Sequence, residues 1–566
     1  MSSALRSPAL PSPSPPYGRR ARLPVRAALR LGPVGDIWHK PALSAVAALA
    51  VPLVALLWAG RLDLVPYAAA GSMCALYGHG LPYAARARAL AWVVLGMLSG
   101  TAVALVTSSL TDSVAVRVAV AALLAGLHKA VCDATRIGPP GNVVLTFVAA
   151  GAVFVPQQLG DVPAHVGLGA LGGLLAWTVG MAPGLLRPDG PERVAVARAL
   201  ESTARLLRTV PETGDLPRER ETHERHQARH AAAAAVNAAW QTLLSSGVPA
   251  RRRETLSRLL IRAESAGAGA AGEPIGCADK LTGWARDLRE GRPLPSLREV
   301  APPAAERAEL AGIAAEQGGR AGAARVAAEV GGRRRAVAMV FAEVGRRWRV
   351  VAMVFAGAAA AGWGSMALGV GRPYWAVVTA AAVFAANTTL SWSRALQRVV
   401  GNLLGVGLFT LVAPVTRLGA VALVVAVLGL QFATEAAITR NYWLGSVFVT
   451  PMAILMSEFA GTRPVAELVA DRWLDTCVGA AAGLLACVLV PDRRAARRVR
   501  AGLLRLERIL EEPPEPDERD RLRAALVEVR EAADVAAGEW WSGALPHERV
   551  AAAERAGHRR LATLYA

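Results

Sequence analysis

The chain alternates long apolar stretches with short polar breaks, in two blocks set apart by a charged middle. A hydrocarbon core of about 30 Å takes roughly 20 helical residues to cross. Candidate stretches in the first block fall near 43–60, 64–80, 88–107, 114–132, 141–155 and 165–186. The second block supplies 348–368, 374–390, 395–413, 417–434, 441–457 and 473–490. This pattern predicts an all-α, polytopic membrane protein with twelve crossings, six in each block.

The rest of the chain is polar. Residues 1–40, rich in Pro, Ser and Arg, read as a disordered basic arm. Residues 187–347 lack long apolar runs and are dominated by Ala, Arg, Glu and Leu, with breaks at Pro211, Gly247, Pro274 and Pro302. They predict a domain of amphipathic helices between a first membrane module (41–186) and a second (348–490), and 491–566 reads as a helical tail of the same kind. AVAMVFA at 336–342 nearly recurs as VVAMVFA at 350–356, which blurs the start of the seventh span.

Glycine spacing relates the two blocks. Gly169 and Gly173 in the sixth stretch answer Gly479 and Gly483 in the twelfth, each pair followed by LLA. Gly96 and Gly100, preceded by Arg86 and Arg88, answer Gly401 and Gly405, preceded by Arg394 and Arg398. Small residues four apart let helix backbones approach closely in lipid, so all eight are expected at helix contacts. Because six is even, a duplication would give parallel repeats.

The net charge of +19 changes the picture little, since the excess lies in the arm, the middle and the tail, where it flanks apolar helices. Positive-inside anchoring accounts for it and places the termini and the middle domain in the cytoplasm of a cell whose plasma membrane holds the chain. Nucleic acid is not an expected partner; the lipid bilayer is, and homo-oligomerisation is compatible with the pattern. The five cysteines are scattered without a CxxC spacing, no lysine follows a glycine as a phosphate-binding loop requires, and no catalytic constellation appears. No enzyme activity, metal or cofactor is therefore expected. His223, His226 and His230 share a helix face, but in a charged segment that reads as solvated.

Candidate chemistry concentrates in the second block, in GRPYWAVVTAAAV (371–383), RALQRVVGNLLG (394–405), NYWLGSVFVTP (441–451) and RWLDTCVGAAAG (472–483). Arg372, Arg394, Arg398 and Arg472 are cations at membrane depth or its edge, where a charge is expensive unless paired or facing water. They are candidate contacts for an organic anion, together with Tyr374, Trp375, Asn441, Tyr442 and Asp475. Other readings are interfacial anchoring for Arg394 and Arg398, a one-turn pairing of Arg472 with Asp475, and membership of an aromatic belt for the Tyr-Trp pairs. Glu435 is a candidate proton carrier or a structural partner of Arg440 or Asn441. His128 and His165 occupy interfacial positions from which protons could also be relayed.

These four motifs resemble the fusaric acid resistance family, also called the FUSC-like or aromatic acid exporter family. The resemblance covers roughly 345–490 and extends to the first block only through the repeat. It implies an inner-membrane transporter that exports small, often aromatic, carboxylic acids, with a cytoplasmic helical domain between membrane modules. The expected function is ion-gradient-driven efflux of such anions; the alternatives are a passive anion channel and a membrane scaffold that transports nothing.

Overall fold

The structure, a computed structural model, describes residues 25–32, 35–209, 218–246, 250–267, 274–293, 344–345, 347–370, 372–459, 464–490, 495–513, 518–540 and 545–564. Most of the basic arm and the 336–342 copy of the tandem duplication lie outside them. The described residues are helical, and no strand occurs among them.

A short helix α1 (Val25–Leu29) precedes the first membrane set: α2 (His39–Trp58), α3 (Leu62–Leu76), α4 (Tyr83–Leu110), α5 (Val114–Thr135), α6 (Asn142–Ala152) and α7 (Val162–Met181). An intervening bundle follows, comprising α8 (Gly190–Arg208), α9 (Arg218–Leu244), α10 (Ala250–Ser265) and α11 (Pro274–Glu290). The second membrane set is α12 (Trp348–Ala367), α13 (Tyr374–Val383), α14 (Thr388–Val412), α15 (Ala420–Ile438), α16 (Tyr442–Glu458) and α17 (Val465–Leu489). The tail forms α18 (Ala495–Glu511), α19 (Glu518–Ala537) and α20 (His547–Thr563).

Eight helices are long and apolar enough to span a bilayer, and in each only 28–44% of the most apolar window is buried inside the protein. The remainder, including Trp58, Leu171, Leu411 and Val425, faces outward as lipid-contacting surface. This is a multi-pass membrane protein.

The twelve expected crossings resolve into these eight helices and four shorter apolar ones, α3, α6, α13 and α16. The 11 residues of α6 and the 10 of α13 rise only about 15–17 Å, near half the hydrocarbon thickness. Hydropathy cannot see this, because the chain beyond α13 (Phe384, Ala385, Ala386) stays apolar after the helix has ended. The short helices stand second and fifth in both membrane sets.

Packing follows the same order in both sets. The second helix lies on the sixth (α3 on α7, α13 on α17), and the third on the fifth (α4 on α6, α14 on α16). Between sets the first helix of each packs against the fourth of the other, α2 on α15 and α12 on α5. Close crossings lie at glycines: a Cβ on Gly479 would stand 2.5 Å from the Ala376 carbonyl oxygen, and one on Gly401 2.5 Å from that of Trp443. Gly100, Gly169, Gly173, Gly405 and Gly483 also face neighbouring helices. Gly96 does not, since nothing lies within 4 Å of a Cβ placed there. The GxxxG spacing alone could not distinguish a glycine turned outward from one turned inward.

The intervening bundle closes on a leucine and alanine core that includes Leu200, Leu256, Leu260 and Leu281, and the tail on one that includes Val499, Leu503, Leu526 and Val529. A buried ion pair, Arg523 to Glu264 at 2.6 Å, ties them together, and Arg523 also lies over the Trp240 ring. His223 and His226 lie outside the described side chains, whereas His230 meets Glu554 at 3.6 Å.

Candidate functional site in the second membrane set

Five of the six helices of the second set contribute polar side chains to one continuous seam. On α17, Arg472 and Asp475 are almost completely buried. The Arg472 guanidinium carbon lies over the Trp375 ring of α13, 3.8 Å from its centroid, a cation–π contact that strengthens when water is excluded. The Tyr374 hydroxyl stands within electrostatic reach of Arg372, Arg472 and Asp475.

The Asp475 carboxylate accepts a short hydrogen bond from the Ser365 hydroxyl of α12. Among the described residues no ion pair closer than 4 Å joins Arg472 to Asp475, although each charge lies within electrostatic reach of the other. Nε and Nη1 of Arg472, and Oδ2 of Asp475, have no hydrogen-bond partner among the described residues. Three unfulfilled polar atoms on two buried ionic groups form a costly arrangement.

One turn further along α17, Thr476 accepts from the Asn402 amide of α14 at 2.8 Å, and the Asn402 carbonyl accepts from Thr450 of α16 at 2.7 Å. This chain locks three helices at the middle of the set. Asn402, Thr450, Thr476 and Ser365 were not legible as site residues. Lone polar residues in apolar helices show no spacing signal until packing brings them together.

Beyond the lock, Arg398 is 5% exposed and donates through Nη1 to the Tyr442 hydroxyl at 2.7 Å, while its Nε finds no partner among the described residues. Arg394 stacks on the opposite resource of the same residue, its guanidinium 4.4 Å from the Tyr442 ring centroid. Arg398 and Tyr442 both lie within electrostatic reach of Arg472. The fold thus gathers Arg372, Tyr374, Trp375, Arg394, Arg398, Tyr442, Arg472 and Asp475 into one lining.

Asn441 and Glu435 stand apart from it. The Asn441 amide donates to the carbonyls of Ala28 and Arg30, and it shares that segment with Gln397 and Trp443, which bond Ala28 and Leu29. Glu435 accepts from Gln431 on its own helix at 3.2 Å, with neither Arg440 nor Asn441 as its partner.

The first set has no equivalent of the unfulfilled arginines. Arg86, buried at the matching place in α4, donates to four backbone carbonyls, those of Gly78, His79, Leu81 and Gly180, at 2.8–3.1 Å. Its guanidinium ties the 77–82 turn to α7. His165 stacks on Tyr67 with centroids 3.8 Å apart and shares Gln157 with it, and His128 is buried beside Gly100.

Residues 358–486, which carry nearly the whole seam, match the family model described as fusaric acid resistance protein-like. The uncharacterized membrane protein YvaC of Bacillus subtilis (strain 168) is 31% identical over 187 residues, covering 31% of this chain and 29% of that protein. The chain therefore matches less than a third of that relative's length. No solved structure matches the chain. Within the second membrane set, residues 358–486 are thus similar to the fusaric acid resistance protein-like family.

Proposed function

We propose that the chain is a plasma-membrane exporter of small organic anions, aromatic carboxylates foremost, whose passage runs along the seam of the second set. The observation that carries this reading is Arg472: a buried guanidinium over the Trp375 ring whose Nε and Nη1 have no hydrogen-bond partner among the described residues. A carboxylate oxygen would accept from either of these donors, and an aromatic body would find Trp375 and Tyr374 beside it. Arg398, with one N–H to spare, offers the next station toward the Tyr442 end.

Asp475 keeps the affinity modest. Its negative charge one turn from Arg472 competes with the cargo, so an anion that enters can also leave. Short helices in matching places of two halves point to a transport site at mid-membrane, and α13 and α16 both border the seam. On this reading the two sets are parallel repeats, of which the first is chiefly structural. The termini and the intervening bundle lie in the cytoplasm, and Glu435 carries the coupling proton.

The test is efflux of a panel of labelled aromatic acids from loaded vesicles, with and without a protonophore. Uphill efflux that the protonophore abolishes supports coupled export; flux that persists with an electrical current indicates a passive channel. Equal retention of the whole panel by vesicles with and without the protein would reject transport of this class. If transport is proton-coupled through Glu435, Glu435→Gln abolishes the uphill component while the protein remains in the membrane.

A further inference from the structure

A second cationic site lies outside the seam, where the first membrane set meets the intervening bundle. A cavity of about 180 Å³ opens there between the start of α2, the 77–82 turn, α8 and α9. This is below the roughly 300–1,000 Å³ of drug-sized sites and suits a small ligand. Its walls are apolar, formed by Ile37, Val194, Ala195 and Ala235, and its charged lining comes from Lys40 and Arg198.

Cations outnumber carboxylates at this place, where the buried Glu192, beside the lining Pro191, lies within electrostatic reach of Arg86. Lys40 lies within reach of Arg86, Arg187 and Arg198, and no acidic side chain is paired with it among the described residues. The carboxylate that comes nearest in the chain, Asp36, is already engaged by Arg198 at 3.1 Å and Arg289 at 2.9 Å. Converging like charges in a half-buried place raise the energy of the empty site and lower it when an anion enters.

The geometry points to this cavity as a binding site for a small amphipathic anion, its charged head held by Lys40 and Arg198 and its apolar body against the alanine wall. An anion at Arg198 competes with Asp36 for the same guanidinium. Asp36 closes the segment that begins at α1, whose carbonyls are held by Gln397, Asn441 and Trp443 and whose Gly32 N–H donates to the Arg440 carbonyl at 2.9 Å. Occupancy therefore loosens a strap lying across one end of the second set. This inference stands apart from the transport reading, because it concerns binding at a different place.

The head group has two sources, a soluble carboxylate or an acidic phospholipid, and the experiment separates them. Full-length protein in phosphatidylcholine nanodiscs is equilibrated with radiolabelled benzoate, in an Arg398→Gln, Arg472→Gln background that removes both guanidinium groups assigned to the seam's anion path. Saturable binding is expected that Lys40→Gln weakens about tenfold and Lys40→Arg restores, with faster amide exchange over 25–32 when benzoate is bound. Phosphatidylglycerol that displaces benzoate through Lys40 identifies the occupant as lipid; its failure to do so identifies the soluble anion. If neither benzoate nor phosphatidylglycerol binding responds to Lys40→Gln or Arg198→Gln, the site does not exist. Absence of benzoate efflux by the wild-type protein, with this binding intact, would count against the transport reading alone.

Discussion

Arg86 and Arg472 place the same guanidinium in the same kind of buried setting and differ in what their N–H groups meet. Every donor direction of Arg86 that the fold exploits ends on a backbone carbonyl, so removing it strands acceptors and unties a turn. Hydrogen bonds to charged groups contribute about 1.5–3 kcal/mol each, and Arg86→Gln is expected to lower the melting temperature of the purified protein and the amount recovered. Arg472→Gln relieves a buried charge instead. It should reduce efflux at least about tenfold, and Arg472→Lys should not rescue it, since an ammonium offers no planar fork. Wild-type efflux by Arg472→Gln would remove this arginine from the path. The cations and aromatic residues of the seam were legible in the motifs because charge inside an apolar run is conspicuous. Asn402, Thr450 and Ser365 were not, because one amide or hydroxyl in such a run has no meaning until its partner on another helix is known.

At the level of elements, the lengths of the membrane helices decide where the seam can be. A 10-residue α13 brings Tyr374 and Trp375 to Arg472 and ends at Val383, where the chain unwinds before Asn387 caps α14 by accepting from the Leu390 N–H. Sequence located the apolar stretches and overestimated chiefly α6 and α13, since hydropathy measures what a segment is made of and not whether it is wound. The glycines set how tightly α13 lies on α17. Gly479→Ala would force the Ala376 carbonyl, 2.5 Å from the new methyl group, and hence the whole of α13, to move. It is expected to destabilise by at least about 1–3 kcal/mol, as overpacking does, and to disturb efflux. Gly407→Ala in α14 meets nothing within 4 Å and should be neutral or stabilise by about 0.5–1 kcal/mol, the ordinary gain of Ala over Gly in a helix. Thermal unfolding of both variants in the same detergent makes the comparison, and equal shifts would refute the close-crossing argument.

Across the whole molecule, the second membrane set is gripped from two directions by parts of the chain outside it. The tail holds the start of α14, where the Thr389 N–H and hydroxyl donate to the Gly538 carbonyl and Thr388 bonds Glu539. The N-terminal strap holds the start of α16 and is itself latched through Asp36 to Arg198 and Arg289 of the bundle. Its composition reads as disorder because the grip uses its backbone carbonyls, which every sequence has. Burial works against the charge on Asp36, but the hydrogen bonds from Arg289 and Arg198 outweigh it and hold the carboxyl below its usual range. A carboxyl so depressed contributes to the latched state above its unfolded value, near 3.8, and loses that contribution only as pH falls through the lower folded value. Amide exchange over 25–32, corrected for its intrinsic pH dependence, should therefore be flat from pH 8 to about pH 5 and rise only in stronger acid. Asp36→Asn should raise it throughout that flat range, because an amide cannot form ion pairs with two guanidinium groups. A titration of strap protection centred between pH 6 and 7 would show that another group holds the latch.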